Sequence, residues 1–364
     1  MKASLREQPP QRPVPASLRA NESLEALWVG GEGGMEEELV KRAGVPFEAI
    51  PAAGVHGVNL RALPGNVWQL SQGYRQAGRL LRRFRPDVLF FTGGYVAVPV
   101  ALAGRAIPSL LYVPDIEPGL ALKTLARFAD HIALTAEDSR AYFSVAKRRQ
   151  VTVTGYPVRE KLTNWRLEDA RRALDLSPDL PTLLVFGGSK GARSINRALM
   201  GALPELLERM QVVHVSGQLD WSEVQTFREQ LDDQQVSRYR PFAYLHEQMG
   251  AALRAADLAL SRAGAATLGE FPTFDLPAVL VPYPHAWRYQ KVNAHHLVAH
   301  GAAVMVRDEE LQEKLLPVVQ DLMGDSSKLE RMRRAMHSLA HPGAAKSIAG
   351  LLFDLAAETS PRRM

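Results

Sequence analysis

The chain contains no cysteine. That absence excludes a disulfide scaffold, a thiolate zinc site and a cysteine nucleophile, and it permits a reducing compartment. No stretch reaches the roughly 18 to 20 unbroken apolar residues that span a bilayer. The opening residues 1–20, MKASLREQPPQRPVPASLRA, lack the apolar middle of a secretion signal. A cytoplasmic protein is expected. Neither G-x-G-x-x-G nor G-x-x-x-x-G-K-[ST] occurs, so hydride transfer, ATP hydrolysis and kinase chemistry lose their best support. A D-x-D clamp, which holds pyrophosphate through a divalent ion, is absent too. Charge on a departing phosphate must then be met by helix N-termini and basic side chains. His214, His285, His295 and His296 read as structural or solvent-facing. No metal and no cofactor is assigned.

What is present is ample apolar material: 46% of the 364 residues are hydrophobic and 23% charged, with no low-complexity tract. This length exceeds one ordinary core and points to two domains of a globular protein. The formal charge of +5 is modest and suits a nucleic acid, an acidic membrane or an anionic substrate equally. Its placement says more. Residues 74–85, YRQAGRLLRRFR, set Arg75, Arg79, Arg82, Arg83 and Arg85 beside Leu80, Leu81 and Phe84, with Val67, Trp68 and Leu70 just upstream. Such a basic, amphipathic segment packs its apolar stripe on its own domain and can also touch anionic headgroups.

Short apolar runs at 25–30, 47–52, 87–94, 109–113, 131–136 and 150–155, bounded by Gly, Pro or Asp, read as parallel strands with helices between them. The second half repeats the theme at 182–187, 210–217, 237–244, 258–264, 278–284 and 302–307. The expected fold is α/β, two doubly wound domains meeting near residues 157–159. At 182–192, TLLVFGGSKGA, a buried strand stops at Gly187 and Gly188 and opens into a helix. Glycines let the backbone approach a ligand, and the helix start offers unpaired N–H groups to an anion. RAGAATLGE, near residue 262, repeats the pattern. Further loops at strand carboxyl ends include Gly93-Gly94-Tyr95, residues 114–119, Tyr244-Leu245 and residues 282–290, a set large enough for a nucleotide.

Several of these segments carry a resemblance in order and approximate spacing. They are RPDV followed by GGYV at 93–96, GYPVR at 155–159, GGSKGARSIN at 187–196, HVSG at 214–217, ADLALSRAGAATLGE at 256–270 and VPYPHAWRYQKVNA at 281–294. From about residue 25 onward the chain resembles glycosyltransferase family 28. The resemblance implies a GT-B fold, with two Rossmann-like domains facing a cleft. It divides the chain into a tail (1–22), an acceptor domain facing the membrane (23–158), a UDP-sugar domain (159–339) and a C-terminal helix returning to the first domain (340–364). It implies inverting, metal-independent transfer of N-acetylglucosamine from UDP-N-acetylglucosamine to undecaprenyl-pyrophosphoryl-muramyl pentapeptide (lipid I), giving lipid II at the cytoplasmic face of the membrane, with no nucleic-acid partner. A diacylglycerol acceptor, or UDP binding without catalysis, are the alternatives.

Carried over by position, Gly188 and Ser189 resemble the diphosphate loop, Arg159 the basic residue at the domain junction, and Glu270 the carboxylate that accepts from the ribose hydroxyls. Ala265, Ala266 and Thr267 resemble further phosphate contacts. Tyr244 and Leu245 resemble the uracil clamp, with Phe242 as the alternative aromatic, and Gln290 a sugar contact. Gly93, Gly94 and Tyr95 lie on the acceptor side. By themselves, without the ordered set of motifs, Glu270, Arg159 and Tyr244 read better as a helix cap or pair, a hinge ion pair and a core residue.

The front of the chain departs from the family. A first strand and its loop GGTGGHxxPA have no counterpart, which implies an N-terminal truncation or a lost element; VPASLRA at 14–20 echoes the family's residues just after that loop. PDIEPG at 114–119 stands where relatives have HEQN, and Tyr289 replaces a sugar-contacting glutamine. With the loop histidine gone, Asp115, Glu117 and His56 are the candidate bases.

Overall fold

The computed structural model describes residues 24–34, 36–52, 63–188, 190–285 and 289–358. The expected tail, His56 and Ser189 lie outside them. Twelve strands run through the described residues, each overlapping a run expected from sequence. In the first half these are β1 (Trp28–Gly31), β2 (Phe47–Ile50), β3 (Leu89–Phe91), β4 (Ser109–Val113), β5 (His131–Leu134) and β6 (Val151–Val153). In the second half they are β7 (Thr182–Phe186), β8 (Gln211–Val215), β9 (Tyr239–Phe242), β10 (Leu258–Ser261), β11 (Ala278–Leu280) and β12 (Ala303–Met305). All nine strand pairings are parallel. Continuous apolar runs predict this, because helices cover both faces of a parallel sheet. All five residues of β4 and of β8 are buried.

The second lobe is one six-stranded sheet in the order β12-β11-β10-β7-β8-β9. This is the doubly wound order, whose direction reverses between β7 and β10. Their register ends on Phe186 opposite Ser261. Gly187 and Arg262 therefore leave neighbouring strands at the same height. Helix Arg193–Leu207 closes one face by burying Ile195, Leu199, Leu203 and Leu206 completely. Each contributes about 1.5–3 kcal/mol of apolar burial, and Leu203→Ala would cost about 2–5 kcal/mol. Helix Thr267–Thr273 covers the opposite face through Leu268 and Phe271.

The first lobe is split into β1-β2 and β3-β4-β5-β6. In doubly wound order the opening strand sits between the strands these numbers call β1 and β3, and no described strand occupies that place. Trp28 on β1 and Phe90 on β3 are 42% and 44% exposed. The long helix Leu63–Phe84 buries Ala77 and Leu80, while Arg75, Arg79, Arg82, Arg83 and Arg85 are exposed. Ala344–Ala357, the last helix, sets Ile348 against Leu110, Tyr112 and Ala133 of the first lobe. No described helix is long and apolar enough to cross a membrane.

Candidate active site

The first glycine corner follows β7. Gly188 has φ +91° and Gly191 φ +77°, a region that side chains disfavour. A Cβ on Gly191 would lie 2.2 Å from the Ser216 carbonyl oxygen, and one on Gly217 would lie 2.6 Å from the Gly191 Cα. The turn after β7 and the turn after β8 thus touch backbone to backbone. Space beside Gly188 is open. From Ala192, in extended conformation, the chain enters Arg193–Leu207, whose first N–H groups face the same corner.

Behind this corner lies a buried polar network that pattern reading missed. The Asn196 side-chain amide donates to the Ser216 carbonyl (2.9 Å) and to Asp220 Oδ2 (2.8 Å). Both partners only accept, so Asn196 Oδ1 must face His214 Nε2 at 3.0 Å, and that nitrogen donates. His214 Nδ1 then accepts from the Tyr239 hydroxyl at 2.7 Å. Burial pushes the His214 pKa down to about 3, so its ring is neutral. Asp220 is also held by Arg193 at 2.8 Å. Five side chains and the Ser216 carbonyl thereby fix the first turn of the helix. Their signal in the sequence was only HVSG and the asparagine of GARSIN.

The second corner follows β10. Arg262, 9% exposed, donates to the Val281 carbonyl (3.1 Å), Asp308 (2.5 Å) and the Ser194 hydroxyl (2.8 Å), and its guanidinium sits 5.3 Å from the Tyr283 ring centre. Ser194 donates to the same Asp308 at 2.7 Å. This triad, absent from the expected set, ties the start of helix Arg193–Leu207 to the end of β10. Thr267 Oγ1 donates to the Gly264 carbonyl at 2.7 Å and closes the turn that holds Ala265 and Ala266. One turn on, burial raises the Glu270 pKa while the Arg159 charge opposes the rise. Tyr156 packs on Gly269, and its pKa is raised by burial first and by Glu270 second. Arg159, Tyr156 and Glu270 therefore share the junction between lobes.

Asn293 stitches the lobes together. Its buried amide donates to Asp115 (2.8 Å) and to the Ala263 carbonyl (3.1 Å), and its oxygen accepts from the Ile116 N–H (3.0 Å). Burial raises the Asp115 pKa, opposed by that bond from Asn293. Glu117 is buried and paired with Lys123 at 3.1 Å. Tyr289 approaches Gly119, and Glu117, Asp115 and Tyr95 all help raise its pKa after burial does. The loop at 114–119, Tyr95 and Tyr289 thus converge on the cleft. The Gln290 side-chain oxygen accepts from the Tyr283 N–H at 2.8 Å. Tyr244 is 43% exposed against His246, whereas Phe242 and Leu245 pack into the core. Gly93 and Gly94, with φ +117° and +83°, end β3 on the same side.

Two glycine corners at the switch point of one lobe, faced across a cleft by strand-end loops of another, define the GT-B class of glycosyltransferase. The chain belongs to glycosyltransferase family 28: the C-terminal domain model of that family matches residues 182–348 and the N-terminal domain model residues 17–134. A UDP-N-acetylglucosamine--N-acetylmuramyl-(pentapeptide) pyrophosphoryl-undecaprenol N-acetylglucosamine transferase of Roseiflexus sp. (strain RS-1) is 40% identical, covering 91% of this chain and 83% of its own. The enzyme of the same name from Desulforamulus reducens is 37% identical over 89% of each. Among solved structures, Acinetobacter baumannii MurG matches with a TM-score of 0.71 at 25% identity over 90% of both chains.

Proposed function

We propose that this protein transfers N-acetylglucosamine from UDP-N-acetylglucosamine to the lipid-linked muramyl pentapeptide, forming lipid II with inversion at the anomeric carbon. The carrying observation is the pair of glycine corners on adjacent central strands, in a chain whose relatives bear that activity in their names. The same relatives favour the muramyl acceptor over diacylglycerol. In this reading Gly188, Ser189 and the start of Arg193–Leu207 receive the diphosphate, helped by Ala265, Ala266 and Thr267. Glu270 takes the ribose hydroxyls, Arg159 lies over the nucleotide, Tyr244 and Leu245 flank the uracil, and Gln290 orients the sugar. Gly93, Gly94 and Tyr95 meet the acceptor.

The reaction is one displacement. A base takes the muramyl hydroxyl proton, that oxygen bonds to the anomeric carbon, and the bond to the UDP oxygen breaks as negative charge moves toward the two corners. Asp115 is the favoured base. It sits in the loop facing the second lobe, and burial raises its affinity for a proton, whereas Glu117 already holds Lys123. Asn293 keeps the Asp115 carboxylate oriented.

The acceptor's lipid places the protein on the inner face of the cell membrane. The exposed arginines of Leu63–Phe84, with Trp68 at 62% and Tyr74 at 49% exposure, form the face that contacts it. A groove of about 490 Å³ runs along Tyr74, Arg75, Arg79, Arg82 and Ala103, away from the nucleotide corners. Transfer of radiolabel from UDP-N-acetylglucosamine to lipid I, measured beside a diacylglycerol control, tests the whole reading. Label is expected in lipid II only, and Asp115→Asn is expected to lower kcat with little change in the KM for the donor. Asp115→Asn with wild-type turnover removes Asp115 from the reaction; label in diacylglycerol alone overturns the acceptor.

A further inference from the structure

We infer that Asp138, His296 and His300 form a binding site for a divalent transition-metal ion of the Zn²⁺ type, placed across the seam between the two lobes. Asp138 belongs to the turn Glu137–Tyr142 that follows β5 in the first lobe. His296 lies on the helix Tyr289–Ala299 of the second lobe, and His300 follows at its C-terminal end, one turn on. Each of the three offers a ligand atom, and these atoms all lie within 4.8 Å of one another. Among the described residues no other such cluster occurs. None of the three residues belongs to either glycine corner, and the site does not depend on the proposed transfer.

The hydrogen bonds already present suit the rings to coordination. His300 Nδ1 lies 2.8 Å from the His296 carbonyl, which can only accept. Nδ1 therefore carries the hydrogen, and the neutral ring presents its Nε2 lone pair outward. A backbone carbonyl in this role is the usual partner that fixes the tautomer of a metal-bound histidine. His296 Nδ1 is 2.7 Å from Asp138 Oδ2, so the carboxylate already crosses the seam to the ring, and coordination by both atoms moves the hydrogen they share from Nδ1 to Nε2 of the neutral ring. The two imidazoles are 4.6 Å apart between centres. A tetrahedral ion with bonds of about 2.0–2.2 Å holds its ligand atoms roughly 3.4 Å apart. Gathering these three around one ion needs side-chain rotations on the order of 1 Å, with the fourth position left to water. Two imidazoles and one carboxylate select Zn²⁺ or Co²⁺ over the all-oxygen preference of Mg²⁺ and Ca²⁺. One ligand comes from the first lobe and two from the second, so a bound ion ties the lobes to each other.

The test is titration of Co²⁺ into the full chain after treatment with a chelator, read by its visible ligand-field bands, with Zn²⁺ as competitor. One ion per chain is expected, displaced by Zn²⁺ and not by Mg²⁺, together with a rise in melting temperature. His300→Gln and Asp138→Asn change exposed side chains in opposite lobes. Each is expected to weaken the ion by at least about tenfold while leaving the metal-free melting temperature close to wild type. The inference is overturned if the bands do not appear, if Mg²⁺ displaces the ion, or if either variant binds Co²⁺ as tightly as wild type.

Discussion

Replacing Gly191 with alanine attacks the first corner at its tightest point. The new methyl carbon would lie 2.2 Å from the Ser216 carbonyl oxygen and 3.2 Å from the Gly217 Cα. A left-handed backbone costs a residue with a Cβ about 1–2 kcal/mol, and φ at Gly191 is +77°. Relieving the contact forces the turn after β8 to move, an overpacking cost of roughly 1–3 kcal/mol. Together these give about 2–5 kcal/mol. In a domain of about 150–250 residues each kcal/mol lowers the melting temperature by about 2–4 °C. Scanning calorimetry should therefore show a fall of at least several degrees, and titration calorimetry at least tenfold weaker UDP binding, because the displaced turn carries the amides. Gly350→Ala is the matched control: it sits in helix Ala344–Ala357 with open space around it, and alanine there should stabilise by about 0.5–1 kcal/mol. Wild-type melting and wild-type UDP affinity in Gly191→Ala would refute the reasoning.

Asn196→Ala leaves the His214 N–H and the Ser216 carbonyl without their buried partner. The expected cost is about 2–5 kcal/mol in denaturant unfolding, and a loss under about 1 kcal/mol would contradict the network. Stability should also fall with acid. Burial lowers the pKa values of His131, His214, His296 and His341 in the folded protein. Above pH 6.5 these rings are neutral folded or unfolded, but below it the unfolded chain takes up protons that the folded chain refuses. For His214 the loss runs from pH 6.5 down to about 3, at about 1.4 kcal/mol per pH unit. Asp115 and Glu270, whose pKa values are raised, oppose it in part. Melting temperatures measured from pH 7 to 5 should decline, more steeply for wild type than for His214→Gln; equal slopes would remove His214 from the account. Neutralising Arg75, Arg79 and Arg82 as glutamine should cost about 1 kcal/mol per arginine in binding to anionic vesicles and leave UDP affinity intact. Retained sedimentation with the vesicles would dismiss this helix as the membrane face.

The strands were legible because a parallel sheet writes itself as short apolar runs between turn residues, and twelve such runs sit where β1 to β12 lie. The two glycine corners were equally visible, since a strand that stops at glycine before a helix is a local pattern. What sequence could not show is pairing at a distance. Asn196, His214 and Asp220 meet only because β7 and β8 are neighbours. Asn293 touches Asp115 across 178 positions, and His296 touches Asp138 across 158. Arg262, which precedes a glycine turn in the sequence, is buried and joins Ser194 to Asp308. The helix at 63–84 was legible as basic and amphipathic, but periodicity did not show that Trp68 would face outward.

In the proposed transfer, main-chain amides at two glycine corners grip the donor's diphosphate. Hydrogen exchange of the full chain with and without UDP tests it most directly, because exchange reads individual backbone N–H groups. Slowed exchange is predicted at 187–196 and 263–270, the turns that leave β7 and β10. Protection confined to other segments, with these two unchanged at saturating UDP, would contradict it.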